Sequence, residues 1–247
     1  MNIIKKILSY PLSILHYIVY GLILVIFQPI QWLSLKLGGY SAHKKSVDAL
    51  SACLVASLFV LGTRVRFINK HHIPEGAPLI IASNHQSMHD ITGIGWMMRK
   101  YHPKFVSKIE LGKGIPSISF NLKYGGSVLI DRGNPKQSLP AIMKFGKYLE
   151  EHNRSAVIFP EGTRSKDGVP KPFHQNGLKM MVKYAPSSFV VPITINNSWK
   201  LLKHGHFPLE IGLKLTFEAH EPMKIDSMPF AELFQKTEKA VKDAVIV

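Results

Sequence analysis

Two short polar segments carry residue types that perform group-transfer chemistry. The first is Asn84-His85-Gln86-Ser87-Met88-His89-Asp90, which directly follows an apolar run at 79–83. An imidazole titrates near pH 6.5 in water, so it can take a proton from a hydroxyl at neutral pH. A carboxylate behind it fixes the tautomer and stabilises the imidazolium that forms. His85 and Asp90 are five residues apart, and on one regular helix they would point about 140° away from each other. They meet if His85 lies on the turn before a helix and Asp90 in its first turn, with Ser87 as a candidate N-cap. No serine is placed convincingly as a nucleophile, so the hydroxyl to be activated is the substrate's own. The plainer readings are an ordinary loop histidine, one of 12 in the chain, and an Asp90 that merely favours a helix start. His89 is an adjacent alternative. His85, His89 and Asp90 are also metal-ligand types. A His-x3-His pair, however, needs one helix through both histidines, against the turn just argued, and no metal is expected.

The second segment is Phe159-Pro160-Glu161-Gly162-Thr163-Arg164-Ser165, at the end of the apolar run 156–159. Gly162 permits a positive φ or a close ligand approach. Arg164 offers a planar fork to a phosphate, and backbone N–H groups near Gly162 can add to it. The plain alternative is a strand-to-loop turn with a solvated arginine. Lys108 and Arg132 also follow short apolar stretches. Each alone reads as a surface charge, but three cations at strand ends make an anion pocket.

These segments need elements to position them. Apolar stretches at 79–83, 127–131, 156–159, 189–195 and 211–217 read as strands, and 90–100, 136–151, 176–184 and 230–245 as helices. The alternation predicts an α/β domain with a mixed, largely parallel sheet flanked by helices. Chemistry in such domains gathers beyond the carboxyl ends of the strands.

The first 63 residues have a different texture. Residues 7–35 contain no Asp, Glu, Lys or Arg. As a helix, 7–28 would reach about 33 Å before Pro29 breaks or kinks it, and 49–63 about 22 Å. Lysines and arginines flank every end, which suggests that all ends lie near one anionic surface. Two helices dipping into one leaflet are therefore favoured over two that cross. A buried helical pair of a soluble protein is disfavoured because 14–25 leaves no clear polar face. Residues 1–63 thus read as a two-helix membrane motif and 64–247 as the α/β domain.

The 247-residue chain carries a formal charge of +15. Eight Lys and Arg lie in the first 70 residues against Asp48 alone. That excess beside apolar runs favours an anionic membrane surface over nucleic acid, for which no motif is present. Cys53, the only cysteine, allows no internal disulfide, as a reducing compartment would permit.

Taken together, the segment 84–90 resembles the H-x4-D motif of the glycerolipid acyltransferase superfamily. Residues 159–165 resemble its phosphate-binding motif, 126–132 (GSVLIDR) its intervening motif, and Val191-Pro192-Ile193 its last. All four occur in order over about residues 65–220, and the likeness is nearest to the lysophosphatidate acyltransferase family. The resemblance implies that His85 is general base and Asp90 its orienting partner. The acyl donor would be acyl-CoA or acyl-ACP, and the acceptor the sn-2 hydroxyl of a 1-acylglycerol 3-phosphate. Arg164, with Lys108 and Arg132, would hold the phosphate. Glu161, Gly162 and Thr163 would shape that pocket, and Pro192 would border the acyl site. No cofactor is implied, and the partners are a lysophospholipid, an acyl thioester and the cytoplasmic face of the inner membrane. One departure stands out. Phe173 is followed by His174-Gln175-Asn176-Gly177 where the family carries two basic residues before the glycine, which opens the possibility of another lysolipid acceptor. A non-catalytic lipid-binding protein and a metal-dependent hydrolase are the readings from other classes.

Overall fold

The computed structural model describes residues 3–131 and 133–247. Arg132, one of the expected phosphate-binding cations, lies outside the described residues. The strands are β1 (Arg64–Asn69), β2 (Leu79–Ser83), β3 (Pro103–Lys108), β4 (Val128–Ile130), β5 (Ser155–Ile158), β6 (Phe189–Asn196), β7 (Lys214–Ala219) and β8 (Met223–Lys224). They form one sheet in the order β1-β7-β6-β2-β5-β3-β4, with β8 also against β6. β6 pairs antiparallel with β7 and β8, and every other described pairing is parallel. The sheet is thus mixed and largely parallel, as expected.

β2 is buried at all five positions because it sits mid-sheet with both faces covered. Alternation then assigns its side chains to two cores. Leu79 and Ile81 join Phe105, Val157, Val191 and Phe217 on one face. Ile80 and Ala82 join Ala156, Ile158 and Val190 on the other, under α4 (Pro135–His152), α5 (Gln175–Tyr184) and α6 (Phe230–Asp243). The first face is covered by α1 (Ile3–Ala56), α2 (His89–Met97) and α3 (Ile118–Tyr124).

Pro192 lies inside β6, where proline is normally excluded. Its carbonyl accepts the His220 N–H, so its ring nitrogen faces β7 and β8. β8 pairs only with residues 189–190 and β7 only with 193–196, so the missing donor falls in the gap between two partners.

α1 differs from the expected pair of helices in three respects. It runs through Pro29 and breaks instead at Gly39, which adopts φ 62° and ψ −155°, conformations open to glycine alone. Its first limb does have a polar face, too narrow to see against the apolar background. Ser9, Ser13, His16 and Gln31 are buried at helical spacing against the domain. Ser13 Oγ accepts the Leu209 N–H at 2.8 Å, His16 Nδ1 lies 3.1 Å from the Ser57 carbonyl, and Ser117 Oγ donates to the Leu24 carbonyl at 2.5 Å. The opposite face is a band of exposed apolar residues, including Ile7, Ile14, Ile18, Leu22, Ile26 and Leu33. Polar side inward and apolar side outward suits a helix solvated by lipid. Third, the second limb is not separable from the domain. Leu50 and Leu54, with Leu58 and Leu61 just beyond, are almost fully buried in the cores beside the sheet. The boundary at 63 therefore marks a change of composition rather than a gap in packing.

α2 sits unusually close to the sheet, because a Cβ on Gly93 would meet Phe217 Cζ at 2.1 Å. Gly93→Ala is expected to cost about 1–3 kcal/mol by overpacking. Thermal unfolding of the detergent-solubilised protein checks this; an unchanged Tm would mean that the contact yields freely.

Candidate active site

The parallel strands deliver their following loops to one end of the sheet. β2 leads into 84–88, β3 ends at Lys108, β5 leads into 159–165 and β6 into Asn197-Ser198. His85 lies on the turn after β2, and Asp90 is the second residue of α2. His85 Nδ1 is 2.8 Å from Asp90 Oδ2. α2 begins two residues beyond Ser87, whose Oγ accepts the His89 N–H at 3.1 Å.

Asp90 is fully buried. Its Oδ2 also accepts the N–H groups of Gln86 (2.6 Å) and Ser87 (2.8 Å). Its Oδ1 accepts the hydroxyls of Ser87 (3.2 Å) and Ser198 (2.5 Å). Burial opposes ionisation here, but the bonds from His85, Ser198 and Ser87 outweigh it and hold the carboxyl below the usual range. An ionised Asp90 requires a proton on Nδ1 of His85, which leaves Nε2 with the lone pair.

The 159–165 loop holds His85 from below and behind. The Phe159 ring stacks on the imidazole at 4.0 Å between centroids. Glu161 Oε1 accepts the His85 N–H at 2.7 Å, and the Ser165 N–H donates to the His85 carbonyl at 2.8 Å. The other carboxylate oxygen of Glu161 accepts the Lys171 N–H at 2.8 Å. Burial raises the Glu161 pKa, opposed by these two N–H donors. Glu161 therefore braces the backbone on both sides of the site. Gly162 adopts φ +71° and forms part of the wall between two cavities.

One cavity, of about 500 Å³, contains His85, Lys108, Thr163, Arg164, Lys166 and Lys171. Four cations among the described residues, Lys108, Arg164, Lys166 and Lys171, are exposed at its rim. Lys171 Nζ donates to Thr163 Oγ1 at 2.7 Å and to the Arg164 carbonyl at 3.0 Å. The second cavity, of about 560 Å³, lies across Phe159 and Gly162 between α4 and α5. Among the described residues it has no Asp, Glu, Lys or Arg in its lining, which includes Ile142, Leu178 and Met181. His174 and Asn176, from the segment that departs from the family pattern, line this apolar cavity.

Of the residues expected from sequence, the fold brings His85, Lys108, Gly162, Thr163 and Arg164 to the cationic cavity, with Asp90 and Glu161 buried behind it. Pro192 lines neither cavity. It is buried in mid-sheet on the face that α6 covers, where Thr194 bonds the Val241 carbonyl. His89 turns the other way, toward the rings of His16 and Tyr20 on α1, and burial lowers its pKa to about 4. Among the described residues no group of three His, Cys, Asp or Glu is arranged to hold a metal ion.

The sequence reading missed Ser198, Gln86, Asn84 and Lys171. Gln86 Oε1 accepts the Ser198 N–H at 3.0 Å, so it sets the loop that delivers the Ser198 hydroxyl. Asn84 joins β2 to β6 by two bonds with Ile195. Ser198 follows the apolar strand 189–195 after two asparagines. That is the same place in the strand-to-loop pattern as His85 and Glu161, and it was a readable signal.

Residues 64–196 match the model of the family described as Acyltransferase. The chain is 35% identical over 164 residues to 1-acyl-sn-glycerol-3-phosphate acyltransferase of Helicobacter pylori, covering 63% of this chain and 66% of that one. It is 32% identical to the chloroplastic enzyme BAT2 of Brassica napus, over 52% of this chain and 36% of that one. With the Borreliella burgdorferi protein of the same description as the first it shares 27%, over 60% and 58%. The matches thus span about a third to two thirds of these relatives' lengths. Among solved structures, the 1-acyl-sn-glycerophosphate (LPA) acyltransferase PlsC from Thermotoga maritima has the same fold, with TM-score 0.77 over 98% of this chain and 95% of that one at 23% identity.

Proposed function

The chain belongs to the acyltransferase family, and from that premise we propose that it moves an acyl group from acyl-CoA or acyl-ACP to the sn-2 hydroxyl of 1-acyl-sn-glycerol 3-phosphate. The observation that carries this is the His85–Asp90 pair, 2.8 Å apart beside a cavity with four cations at its rim. In this reading His85 Nε2 takes the proton of the acceptor hydroxyl as the oxygen attacks the thioester carbonyl. The tetrahedral intermediate collapses, the thiolate leaves, and the imidazolium returns the proton to it. Asp90 stabilises the imidazolium throughout. Arg164, Lys108 and Lys171 hold the phosphate, and the apolar cavity across Gly162 takes an acyl chain. Substrates would arrive from one leaflet, on the cytoplasmic face, along the apolar band of α1. No metal or redox cofactor takes part.

The His174-Gln175-Asn176 departure favours another lysolipid acceptor less than the sequence alone did. His174 and Asn176 border the apolar cavity, and Lys171 supplies a cation on the phosphate side. Purified protein given an acyl-CoA and a panel of acceptors should release free thiol fastest with lysophosphatidate. A neutral or zwitterionic lysolipid used equally well would sink the phosphate assignment. Arg164→Ala should lower kcat/KM for lysophosphatidate about 10- to 100-fold, the worth of one charge-assisted contact, and change it little for monoacylglycerol. An unchanged preference for the phosphorylated acceptor would remove Arg164 from that role.

A further inference from the structure

At the end of the sheet opposite His85, a second group of cations surrounds Tyr40. Lys104, on β3, is only 6% exposed. Its ammonium sits 4.8 Å from the Tyr40 ring centroid and meets no acceptor at hydrogen-bond distance among the described residues. The Arg154 guanidinium sits 4.7 Å from the same ring, with its Nε buried and without a hydrogen-bond partner among the described residues. Lys44 is paired with Asp48. Lys104 and Arg154 thus share no carboxylate of their own. His43 is 1% exposed, and its Nε2 has no hydrogen-bond partner among the described residues. His102 is held by its 2.9 Å contact with the Tyr40 hydroxyl.

Beside them a cavity of about 60 Å³ lies between the second limb of α1, α2 and β3, lined by His43, Lys44, His102 and Lys104, by Asp48 in its pair with Lys44, and by apolar residues such as Leu54 and Phe105. One water needs about 10–15 Å³ measured this way, so the space suits an anion of a few atoms and not a lipid. Ile91 and Phe105 line both this cavity and the cationic cleft at His85, so they wall one from the other.

We infer that this cavity is a binding site for a small oxyanion of phosphate size, held by Lys104 and His43 with Lys44 and Arg154 as outlying cations. A largely buried ammonium with no carboxylate in contact with it is unfavourable. Burial, with Arg154 and Lys44 nearby and only Asp48 opposing, lowers the Lys104 pKa to about 7. A bound anion supplies the missing charge and gives His43 an acceptor for its ring N–H. It also ties the second limb of α1 to β3 one residue before Phe105.

Thermal unfolding of the full chain in detergent tests this, with inorganic phosphate titrated at constant ionic strength. A saturable rise in Tm is expected, about 5–10 °C at a hundredfold excess over Kd. The rise should persist in Arg164→Ala and vanish in Lys104→Met. No saturable rise overturns the site. So does a rise that is lost in Arg164→Ala and kept in Lys104→Met, because the anion then sits in the cleft at His85. If Lys104→Met does not fold, His43→Phe fills the cavity and removes the Nε2 donor. It should shift the phosphate midpoint at least about tenfold, as loss of one bond to a charged group implies, and an unchanged midpoint overturns the site.

Discussion

Replacing His85 by alanine is expected to lower the rate of thiol release by about 10²–10⁴-fold, the range for removal of a general base, with little loss of stability. The split follows from where the residue is held. Its backbone N–H and carbonyl are bound by Glu161 and Ser165, and both bonds survive truncation of the side chain. What the mutation removes is the imidazole stacked on Phe159 and bonded to Asp90. No neighbouring imidazole replaces it. His89 is buried beneath α1 against His16 and Tyr20, and its lowered pKa of about 4 makes it a far weaker base. The measurement pairs initial rates at saturating acyl-CoA with Tm in the same detergent. A variant with parental kcat would remove His85 from the chemistry. One that lost rate only in proportion to folded protein would reassign it to scaffolding.

The strands that read most clearly in the sequence are those buried on both faces. β2 coincides with the apolar run 79–83, and β6 extends 189–195 by one residue. Such runs are legible because burial on both faces leaves no polar position. β1 did not read as a strand. It alternates Arg64, Val65, Arg66 and Phe67 at the sheet edge, and its charges blended into the flank of the apolar segment. β7 begins three residues later than expected because Gly212 takes a positive φ before it. For α1 the difficulty was different. An exposed hydrophobic face reverses the usual signal, and a thin stripe of Ser, His and Gln is hard to see when everything around it is apolar. At the site, His85, Asp90 and Arg164 were candidates by residue type and spacing, and the resemblance of four ordered motifs set them apart from ordinary loop residues. Ser198 and Gln86 lie more than 100 positions apart and meet only through the β2–β6 pairing, so no local pattern joined them. The reading of Glu161 also changed. It faces the backbone of His85 and Lys171, which makes it a positioning residue for the proposed base.

Asp90 separates two roles that one alanine scan would merge. Five hydrogen bonds converge on its carboxylate, three from N–H groups at Oδ2 and two from hydroxyls at Oδ1. Asp90→Ala leaves those donors without an acceptor in a fully buried place, and about 3–5 kcal/mol of stability should go with it. Asp90→Asn is the informative change. Its amide oxygen can take the Oδ2 position and keep the three N–H donors. Its NH2 then faces Ser87 and Ser198, whose hydroxyls can rotate to accept. The turn and the His85 tautomer survive, at a cost of about 1–2 kcal/mol, but the charge that stabilises the imidazolium is gone. Thiol release should still fall by about 10² or more. Acid titration adds a check of sign. The folded-state pKa of Asp90 is lowered, so the carboxylate contributes stability above its unfolded value of about 3.9 and loses it as pH falls through the lower folded value. The Tm difference between parent and Asp90→Asn should therefore be full at neutral pH and shrink below about pH 4. A difference that stayed constant down to pH 2, or an asparagine variant with parental kcat, would mean that the carboxylate acts through shape alone.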